Sequence, residues 1–204
     1  MSLHLLENEK IGKLNEEQKN LVVSIKEDTA RLLKITSELL NMTQVESGNI
    51  QLSILPSDPK EILQYAIDAT QTQVNQKRIN FKVDYPKNIG IIQADTEKTA
   101  WVLINLVSNA IRYSYDNSTI YLTIKEDETY IDISVRDTGQ GIAPQYKDKI
   151  FDRYFRIPGT KKEGTGLGLS ISKEFMEAQG GHIKVNSELG AGSTFILTLN
   201  KLTS

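Results

Sequence analysis

Hydrophobic positions divide the chain into a helical N-terminal stretch and a longer stretch of mixed patterns. In the first stretch, apolar side chains recur at spacings of four and three, with Asp28 in the polar slot of the series: Leu21, Ile25, Leu32, Ile35, Leu39 and Met42. This spacing is typical of the core seam of a coiled coil or helix bundle. Because such a stripe is unfavourable in water, we expect partner helices to cover it.

Residues typical of helix ends predict where this N-terminal helix begins and where it ends. Asn15 and Gln18 resemble a capping box at its start, and the Ser-Gly-Asn sequence at 47–49 breaks it at its end. The preceding letters LHLLENEK resemble the last turns of another helix. Residues 1–48 are therefore predicted to form an α-helical hairpin segment.

Residues 49–204 carry both strand and helix patterns. Alternation and short apolar runs predict strands at 50–54, 79–85, 89–93, 120–125, 130–136, 182–187 and 193–199. Helical periodicity predicts helices that begin near Pro59 and that span about 96–113 and 170–178. The order includes a β-hairpin and no repeating βαβ units. It predicts the α/β class, as a two-layer α/β sandwich, and argues against a doubly wound parallel fold.

The predicted strand at 130–136 ends in a residue of unexpected polarity. Its inward positions are β-branched, and Asp137 falls on the same inward face. A buried carboxylate is costly unless it accepts hydrogen bonds, and the amino group of adenine is a suitable donor. Gly139 and Gly141 follow directly and would let the backbone approach a flat ring. The alternative is a turn-initiating Asp followed by a glycine-rich turn.

The predicted helix at 96–113 has a polar stripe beside its apolar one. Asn105, Asn109, Arg112 and Tyr113 follow one another at helical spacing. Asn is a mediocre helix former, so two Asn one turn apart indicate that their amides are used, although a solvated face is the alternative. Side-chain carbonyl oxygens suit Mg²⁺, which usually shares its ligand shell with substrate phosphates.

A glycine-rich loop runs directly into the last predicted helix. GTGLGLS begins at Gly164, and the N terminus that follows offers unpaired N–H groups and a positive dipole end to a phosphate. The segment lacks the Lys-Ser/Thr ending of a P-loop, which disfavours a Walker-type NTPase. The preceding KIFDRYFRIPGTKKEG is either an amphipathic helix with a basic loop or a mobile lid whose cations touch phosphates.

Composition removes several other classes of protein. The 204 residues include no cysteine, which excludes disulfides and thiolate metal sites and fits a reducing compartment such as the cytoplasm. The net charge of −2 gives no indication of a nucleic-acid partner. No apolar run approaches the roughly 20 residues of a membrane span. We therefore expect a soluble cytoplasmic fragment, which is compatible with a membrane-anchored parent protein.

Four segments in this order resemble the ATP-binding domain of bacterial sensor histidine kinases, which has a Bergerat-type fold. NLVSNAIRYS resembles the N box of that family, DTGQGI the G1 box, FDRYFR the F box and GTGLGLS the G2 box, and GAGSTF resembles its last glycine segment. The wider superfamily includes type II topoisomerases, mismatch-repair ATPases and heat-shock chaperones. Its ATPase members commonly have Glu at the place of Asn105, so Asn105 argues for phosphate transfer over ATP hydrolysis.

The resemblance implies ATP and Mg²⁺ as ligands and gives roles to particular residues. Asn105 and Arg156 would be catalytic, with Arg156 reaching the terminal phosphate. Asp137 would accept from the adenine amino group, with Thr194 beside it in the pocket. Asn109 would ligate Mg²⁺. The implied nucleotide-binding residues are Asn109, Arg112, Tyr113, Asp137, Gly139, Gly141, Gly164, Thr165, Gly166, Leu167, Gly168 and Thr194.

The resemblance also implies partners for the chain. Family members transfer the ATP γ-phosphate to a histidine on a dimerisation helix, and the phosphate then passes to an Asp of a response regulator. His4 does not match the family's acceptor, which is followed by an acidic residue and a nearby Pro. We expect residues 1–48 to be a partial dimerisation domain without the acceptor, and 49–204 to be the catalytic domain. The parent kinase would form a homodimer, and this fragment alone would not phosphorylate itself.

Two other functions remain open from the sequence. An ATP hydrolase of the same superfamily would need a water-activating carboxylate near Asn105, and the polar stripe carries none. A non-catalytic helical dimerisation or interaction module with a vestigial nucleotide site is the second alternative. Nucleotide affinity that depends on Mg²⁺ would separate these functions.

Overall fold

The computed structural model describes Leu6, residues 12–160 and residues 164–202. The described chain divides into two units, one up to Thr43 and one from Gln44 onward. His4 and most of the predicted first helix of the hairpin lie outside the described residues. Within the described ranges, no helix combines the length and the hydropathy of a membrane span.

The N-terminal helix, α1, spans Glu16–Glu46. Its predicted capping box is confirmed: Asn15 Oδ1 accepts from the Gln18 amide at 2.8 Å, and Gln18 Oε1 accepts from the Asn15 amide at 2.9 Å. The predicted break after it is also confirmed, since Gly48 adopts a left-handed conformation with φ of 64°. Much of the apolar stripe on this helix is exposed, including Leu21 at 62% and Leu39 at 50%.

The second unit contains the sheets and the other helices. In chain order its elements are β1 Leu55–Ser57, α2 Pro59–Lys77, β2 Asn80–Asp84, β3 Ile92–Ala94, α3 Thr96–Tyr113, β4 Thr119–Glu126, β5 Tyr130–Arg136, α4 Gly168–Ala178, β6 His182–Glu188 and β7 Gly192–Asn200. Short 3₁₀ turns at Pro144–Tyr146 and Lys149–Phe151 lie between β5 and α4. The predicted helices within the described residues, the strand β2 and the strands from β4 onward are confirmed with small differences at their ends.

The main sheet has five strands in the order β2-β4-β5-β7-β6, and a two-stranded sheet pairs β1 with β3. β2 runs parallel to β4, while every other neighbouring pair is antiparallel. One face of the main sheet is buried through its central strands: Ile120, Leu122, Ile124, Ile131, Ile133, Val135, Phe195, Leu197 and Leu199. The alternate face carries polar side chains. Helices on one face of a mixed sheet confirm the predicted two-layer α/β sandwich.

Two helices start at aspartates that accept hydrogen bonds from the first turn. Asp58 accepts from the Lys60 amide at 2.8 Å in front of α2, and Asp95 accepts from the Lys98 amide at 2.9 Å in front of α3. The other oxygen of Asp95 accepts from the Ser53 amide at 2.8 Å. This contact explains one difference from the sequence prediction, because it draws the main chain before β1 to a helix end.

Two strand predictions are wrong in position. The alternating residues at 50–54 form no strand, and pairing begins only at Leu55, opposite Ala94. The strand expected at 89–93 occupies Ile92–Ala94 instead. Ahead of it, the Gly90 amide donates to the carboxylate of Glu126, so this backbone group is bonded to a side chain and not to a neighbouring strand.

Candidate nucleotide-binding site

Asp137 follows the last residue of β5 and lies on the buried face of the sheet. It is 4% exposed, as the alternation of the preceding strand predicts. Its Oδ1 accepts from the Gly139 amide at 2.8 Å and from the Ser193 amide at 3.3 Å. Burial raises the pKa of the Asp137 carboxyl above its ordinary value, and the hydrogen bonds from Gly139 and Ser193 oppose the rise. Both hydrogen bonds end on one oxygen, which leaves Oδ2 to accept from a ligand.

The strand register corrects the position of Thr194. Thr194 pairs with Arg136, so its side chain lies on the face opposite to that of Asp137. Ser193 is the residue across from Asp137: besides donating to Oδ1, its carbonyl accepts from the Asp137 amide at 2.9 Å. Thr194 therefore does not lie beside the Asp137 carboxylate, and Ser193 occupies that place.

The glycines after Asp137 are required by close contacts between backbone segments. A Cβ on Gly139 would lie 2.3 Å from the carbonyl oxygen of Tyr113, at the end of α3. Gly141 has φ of 68°, and a Cβ there would lie 1.9 Å from the carbonyl oxygen of Glu188. The first contact fixes the end of α3 against the loop that donates to Asp137. Two predicted site segments are therefore in direct contact.

The polar stripe of α3 is directed at the beginning of α4. Asn105 is buried, and its Nδ2 donates to Ser172 Oγ at 3.0 Å, while that hydroxyl donates to the Gly168 carbonyl at 2.8 Å. A Cβ on Gly168 would lie 2.5 Å from Asn105 Oδ1. Asn109, one turn further along α3, is half-buried. The stripe thus faces the glycine-rich loop, and the side chain of Asn105 is oriented by α4.

The last turn of α3 carries Arg112 and Tyr113, which are both half-buried. Arg112 Nη1 lies 3.0 Å from the position that a Cβ on Gly164 would occupy, so the guanidinium is next to the glycine-rich loop. The Nζ of Lys77, from the end of α2, donates to three carbonyl oxygens at this helix end. The loop and the end of α3 are therefore neighbours.

The loop between β5 and α4 contains the segment expected to be a lid. It forms no helix from Asp152 to Thr160, and residues 161–163 lie outside the described residues. The Tyr154 amide donates to the Gly166 carbonyl at 3.0 Å, and both residues have positive φ, 62° and 77°. Arg156 lies exposed on this loop.

The N terminus of α4 has no side-chain cap. The helix begins at Gly168, and Leu167 at its N-cap position makes no side-chain cap hydrogen bond. Thr165 Oγ1 accepts from the Leu167 amide at 3.2 Å, which shapes the loop just before the helix. Uncapped N–H groups at the positive end of a helix dipole attract an anion.

Sequence reasoning missed three residues that organise this site: Ser172, Ser193 and Lys77. Alternation through 193–199 carried the signal for Ser193, because that residue shares the inward parity of Phe195. Ser172 follows Gly168 by one helical turn, which was a weaker signal. Lys77 contacts residues at least 34 positions away, and no local pattern could have indicated it.

One side chain of the candidate site is an oxygen donor of the kind that suits a magnesium ion. Among the described residues, no group of three or more His, Cys, Asp or Glu is placed to hold a metal. The amide oxygen of half-buried Asn109 is a hard oxygen donor of the type that Mg²⁺ prefers, and phosphates would supply further ligands.

The fold is a two-layer sandwich, and its candidate site combines a buried carboxylate, a polar stripe on α3 and the uncapped N terminus of α4 after a glycine-rich loop. Together these features define an ATP-binding class of protein. The sequence signature of the family described as "Histidine kinase-, DNA gyrase B-, and HSP90-like ATPase" matches residues 94–203, which is more than half of the chain. The chain therefore belongs to this family, as the ATP-binding domain of a sensor histidine kinase with a helical N-terminal segment.

Individual relatives agree with this assignment. The circadian input-output histidine kinase CikA of Synechococcus elongatus is 27% identical over 197 residues, which are 94% of this chain and 26% of CikA. The sensor protein SrrB of Staphylococcus aureus is 32% identical over 189 residues, covering 91% of this chain and 32% of SrrB. The chain thus spans about a quarter to a third of the length of these curated relatives.

Solved structures show the same fold. Full-length ShkA, crystallised in complex with AMPPNP, superposes with a TM-score of 0.79 at 27% identity, over 100% of this chain and 42% of ShkA. The catalytic domain of the histidine kinase ThkA gives 0.67 at 30% identity, over 74% of this chain and 97% of that domain.

Proposed function

We propose that this chain is the phosphate-donor part of a sensor histidine kinase, which gives the γ-phosphate of ATP to a histidine on a dimerisation helix. The phosphate would then pass to an Asp of a response regulator. One observation carries the proposal most directly: Asp137 is a buried carboxylate, and the two backbone amides that donate to it in the described structure both bond Oδ1. The other oxygen can accept from a ligand, and the adenine amino group would supply a donor to it.

The base-binding part of the site would be the loop from Asp137 to Gly141 with Ser193 behind it. Gly139 and Ser193 orient the carboxylate through Oδ1, so Oδ2 keeps a fixed direction before any ligand arrives. A preorganised acceptor costs little reorganisation when the ligand binds. Discrimination for adenine would follow, because a base with a carbonyl at that position would place two acceptors together.

The phosphates would lie between the end of α3 and the start of α4. Arg112 is next to Gly164, and α4 presents uncapped N–H groups after Leu167. Asn109 would hold Mg²⁺ through its amide oxygen, and the bound ion would offset phosphate charge. Thr165, Gly166 and Gly168 complete the loop, and Tyr113 lies on the side of α3 that contacts Gly139. Arg and helix N termini are well suited to phosphate oxygens.

The transfer step would need positioning and charge neutralisation more than covalent help. A neutral imidazole nitrogen of the acceptor would form the bond to the γ-phosphorus while the bond to the β,γ-bridging oxygen breaks, and ADP would leave. Arg156 would offset charge on the transferred group. The side chain of Asn105 is an amide, which is not a base, and its Nδ2 is bonded to Ser172. Asn105 would therefore not activate water for ATP hydrolysis.

Helix α1 would take part in the dimerisation domain of the parent kinase. Several apolar side chains on it are at least half exposed, namely Leu21, Ile25, Leu32 and Leu39. Apolar surface of this extent favours association with further helices. We propose that these helices come from the rest of the dimerisation domain in a homodimer, with the kinase on the cytoplasmic side, where ATP is available.

Calorimetric titration of the 204-residue chain with AMPPNP, with and without Mg²⁺, tests the proposal. Binding that strengthens with Mg²⁺ and is lost in Asp137→Asn is expected. Asp132→Asn is the matched control, because Asp132 lies in β5, the strand that Asp137 follows, faces the other side of the sheet and bonds Thr198. Binding that is absent, or equally affected by both substitutions, would favour a non-catalytic interaction module.

Phosphate transfer needs a separate measurement. The chain is mixed with radiolabelled ATP and a dimerisation domain that carries an acceptor histidine, and acid-labile label on that domain is expected. Label on His182 of the chain itself would contradict the proposal that this chain donates the phosphate to a histidine on another helix. Release of free phosphate without any labelled protein would identify an ATP hydrolase instead.

A further inference from the structure

Lys77, at the end of α2, makes an unusually complete set of contacts with the end of α3. Its Nζ donates to the carbonyl oxygens of Ile111 at 2.8 Å, Arg112 at 3.0 Å and Ser114 at 3.0 Å. Its own carbonyl accepts from the Asn117 amide at 3.0 Å. One residue therefore holds the last turn of α3 and the turn after it, through both side chain and main chain.

The end of α3 needs such a partner. The helix ends at Tyr113, and Ser114 after it is extended, with φ of −71° and ψ of 156°, so no glycine provides a left-handed cap at this position. The last carbonyls of a helix lack intrahelical donors and carry the negative end of the dipole. Ser114 Oγ is buried without a hydrogen-bond partner in the described structure, so this hydroxyl does not cap the helix. An ammonium supplies three donors and a positive charge.

This helix end is also where the predicted site converges. The Tyr113 carbonyl oxygen would lie 2.3 Å from a Cβ on Gly139, and the Gly139 amide donates to Asp137. On the other side, the guanidinium of Arg112 is beside Gly164. A change in the last turn of α3 would therefore reach the base-binding carboxylate through Gly139 and the phosphate loop through Arg112.

We infer that Lys77 is a positioning residue of the nucleotide site, which fixes the end of α3 so that Arg112 and Asp137 present a preorganised pair of contacts to ATP. The inference rests on the proposed function of this site. Lys77 does not touch the ligand in this account and acts through the backbone of α3. Its removal should therefore weaken nucleotide binding in a protein that stays folded.

A lysine that only stabilised the fold would behave differently from a positioning residue. The matched comparison is Val74→Ala, which removes buried apolar atoms from the same helix, one turn before Lys77. Val74→Ala loses stability without removing a donor from the end of α3. Lys77→Met retains most of the side-chain length and removes the charge and all three donors.

The test is AMPPNP affinity, by calorimetry with Mg²⁺, for the 204-residue chain and these two variants under conditions in which each is folded. We expect Lys77→Met to weaken binding about tenfold or more, because a frayed helix end lowers the fraction of protein in the binding-competent state. Val74→Ala should stay within about twofold of the parent chain, since it leaves that fraction unchanged. Equal affinities of the two variants would overturn the inference.

Amide hydrogen exchange gives a second readout that does not need ligand. In Lys77→Met, the amides of Ser114 and Gly139 should exchange faster relative to the amides of the main sheet, and in Val74→Ala they should not. Should Lys77→Met fail to fold, Lys77→Gln, which keeps two donors and loses the charge, is measured in the same way. If the parent chain binds no AMPPNP, the proposed function fails, and exchange at Gly139 still decides whether Lys77 orders this loop.

Discussion

Asn105 on α3 and Ser172 on α4 are joined by a hydrogen bond of 3.0 Å from Nδ2 to Oγ. Ser172 is fully buried and Asn105 is 8% exposed, so neither group has ready access to water. The same hydroxyl donates to the Gly168 carbonyl in the first turn of α4. The polar stripe of α3 is thus attached to the helix whose N terminus is proposed to receive phosphates.

Replacing Ser172 should show how much the hydrogen bond to Asn105 contributes to the stability of the fold. Ser172→Ala leaves the buried Nδ2 of Asn105 without its acceptor, and we expect a loss of about 1–3 kcal/mol in the free energy of unfolding. Urea denaturation measures it. Ser170→Ala is the control, because among the described residues the Ser170 hydroxyl bonds only the carbonyl of Leu167, in its own turn. Equal losses in the two variants would show that the Asn105 contact contributes nothing.

Removing the charge of Asp137 should separate binding from stability. In Asp137→Asn, the amide oxygen can still accept from Gly139 and Ser193, while its NH₂ group would face the adenine amino group as a second donor. We expect nucleotide binding to be lost while the unfolding temperature at neutral pH stays the same or rises. A fall in stability as large as the fall in affinity would contradict this account.

The raised pKa of Asp137 sets the sign of its pH effects. Because the folded carboxyl has a higher pKa than the unfolded one, it destabilises the fold as pH rises from about 3.9, the ordinary Asp value, to its folded pKa. Relative to Asp137→Asn, the parent chain should therefore lose stability through that window and stay level above it. Thermal unfolding of both proteins over a pH series measures the difference.

Nucleotide binding should shift the same pKa in the other direction. A ligand donor that bonds the ionised carboxylate favours the charged form, so AMPPNP should lower the pKa of Asp137. Carboxyl ¹³C NMR titration, with and without AMPPNP, follows this group directly. A pKa that does not change on saturation would mean that the nucleotide does not contact Asp137.

Sequence alone predicted the five strands of the main sheet and the inward position of Asp137, because a period of two fixes the face of every residue in a strand. The same rule applied to β7 would have placed Ser193 inward and Thr194 outward, and there the family resemblance misplaced the residue. The alternation at 50–54 predicted a strand that does not form, since the Ser53 amide bonds Asp95. Such contacts, like those of Lys77, depend on packing between distant segments and leave no local signal.

The contact between Gly139 and Tyr113 allows no side chain at residue 139. In Gly139→Ala the new methyl group would meet a backbone carbonyl of α3 and not a flexible side chain, and one of the two segments must move. We expect a loss of about 1–3 kcal/mol in stability, the usual cost of overpacking, and weaker AMPPNP binding as the Asp137 loop shifts. Denaturation and calorimetry on the same sample measure the two effects.

Gly90→Ala is the matched control for that substitution. A Cβ on Gly90 would come within 2.8 Å of the Lys201 side chain and 2.9 Å of the Glu126 side chain, and both are flexible chain ends that can move aside. Its stability loss should be smaller, and its affinity for AMPPNP should equal that of the parent chain. If Gly90→Ala reduced affinity as much as Gly139→Ala, the effect would be general and the Tyr113 contact would have no special part in binding.

The backbone of Tyr154 gives a last prediction, about the loop proposed as a lid. Tyr154 has φ of 62°, in the left-handed region that costs a non-glycine residue about 1 kcal/mol or more, and its side chain is 62% exposed. Tyr154→Gly and Tyr154→Ala both remove that side chain, but only glycine relieves the backbone. We therefore expect the glycine variant to be the more stable by about 1 kcal/mol in urea denaturation. The opposite outcomes are that the two variants are equally stable or that the alanine variant is the more stable one. Either result would mean that Tyr154 does not hold this conformation in solution and that the hydrogen bond from its amide to Gly166 does not order the loop.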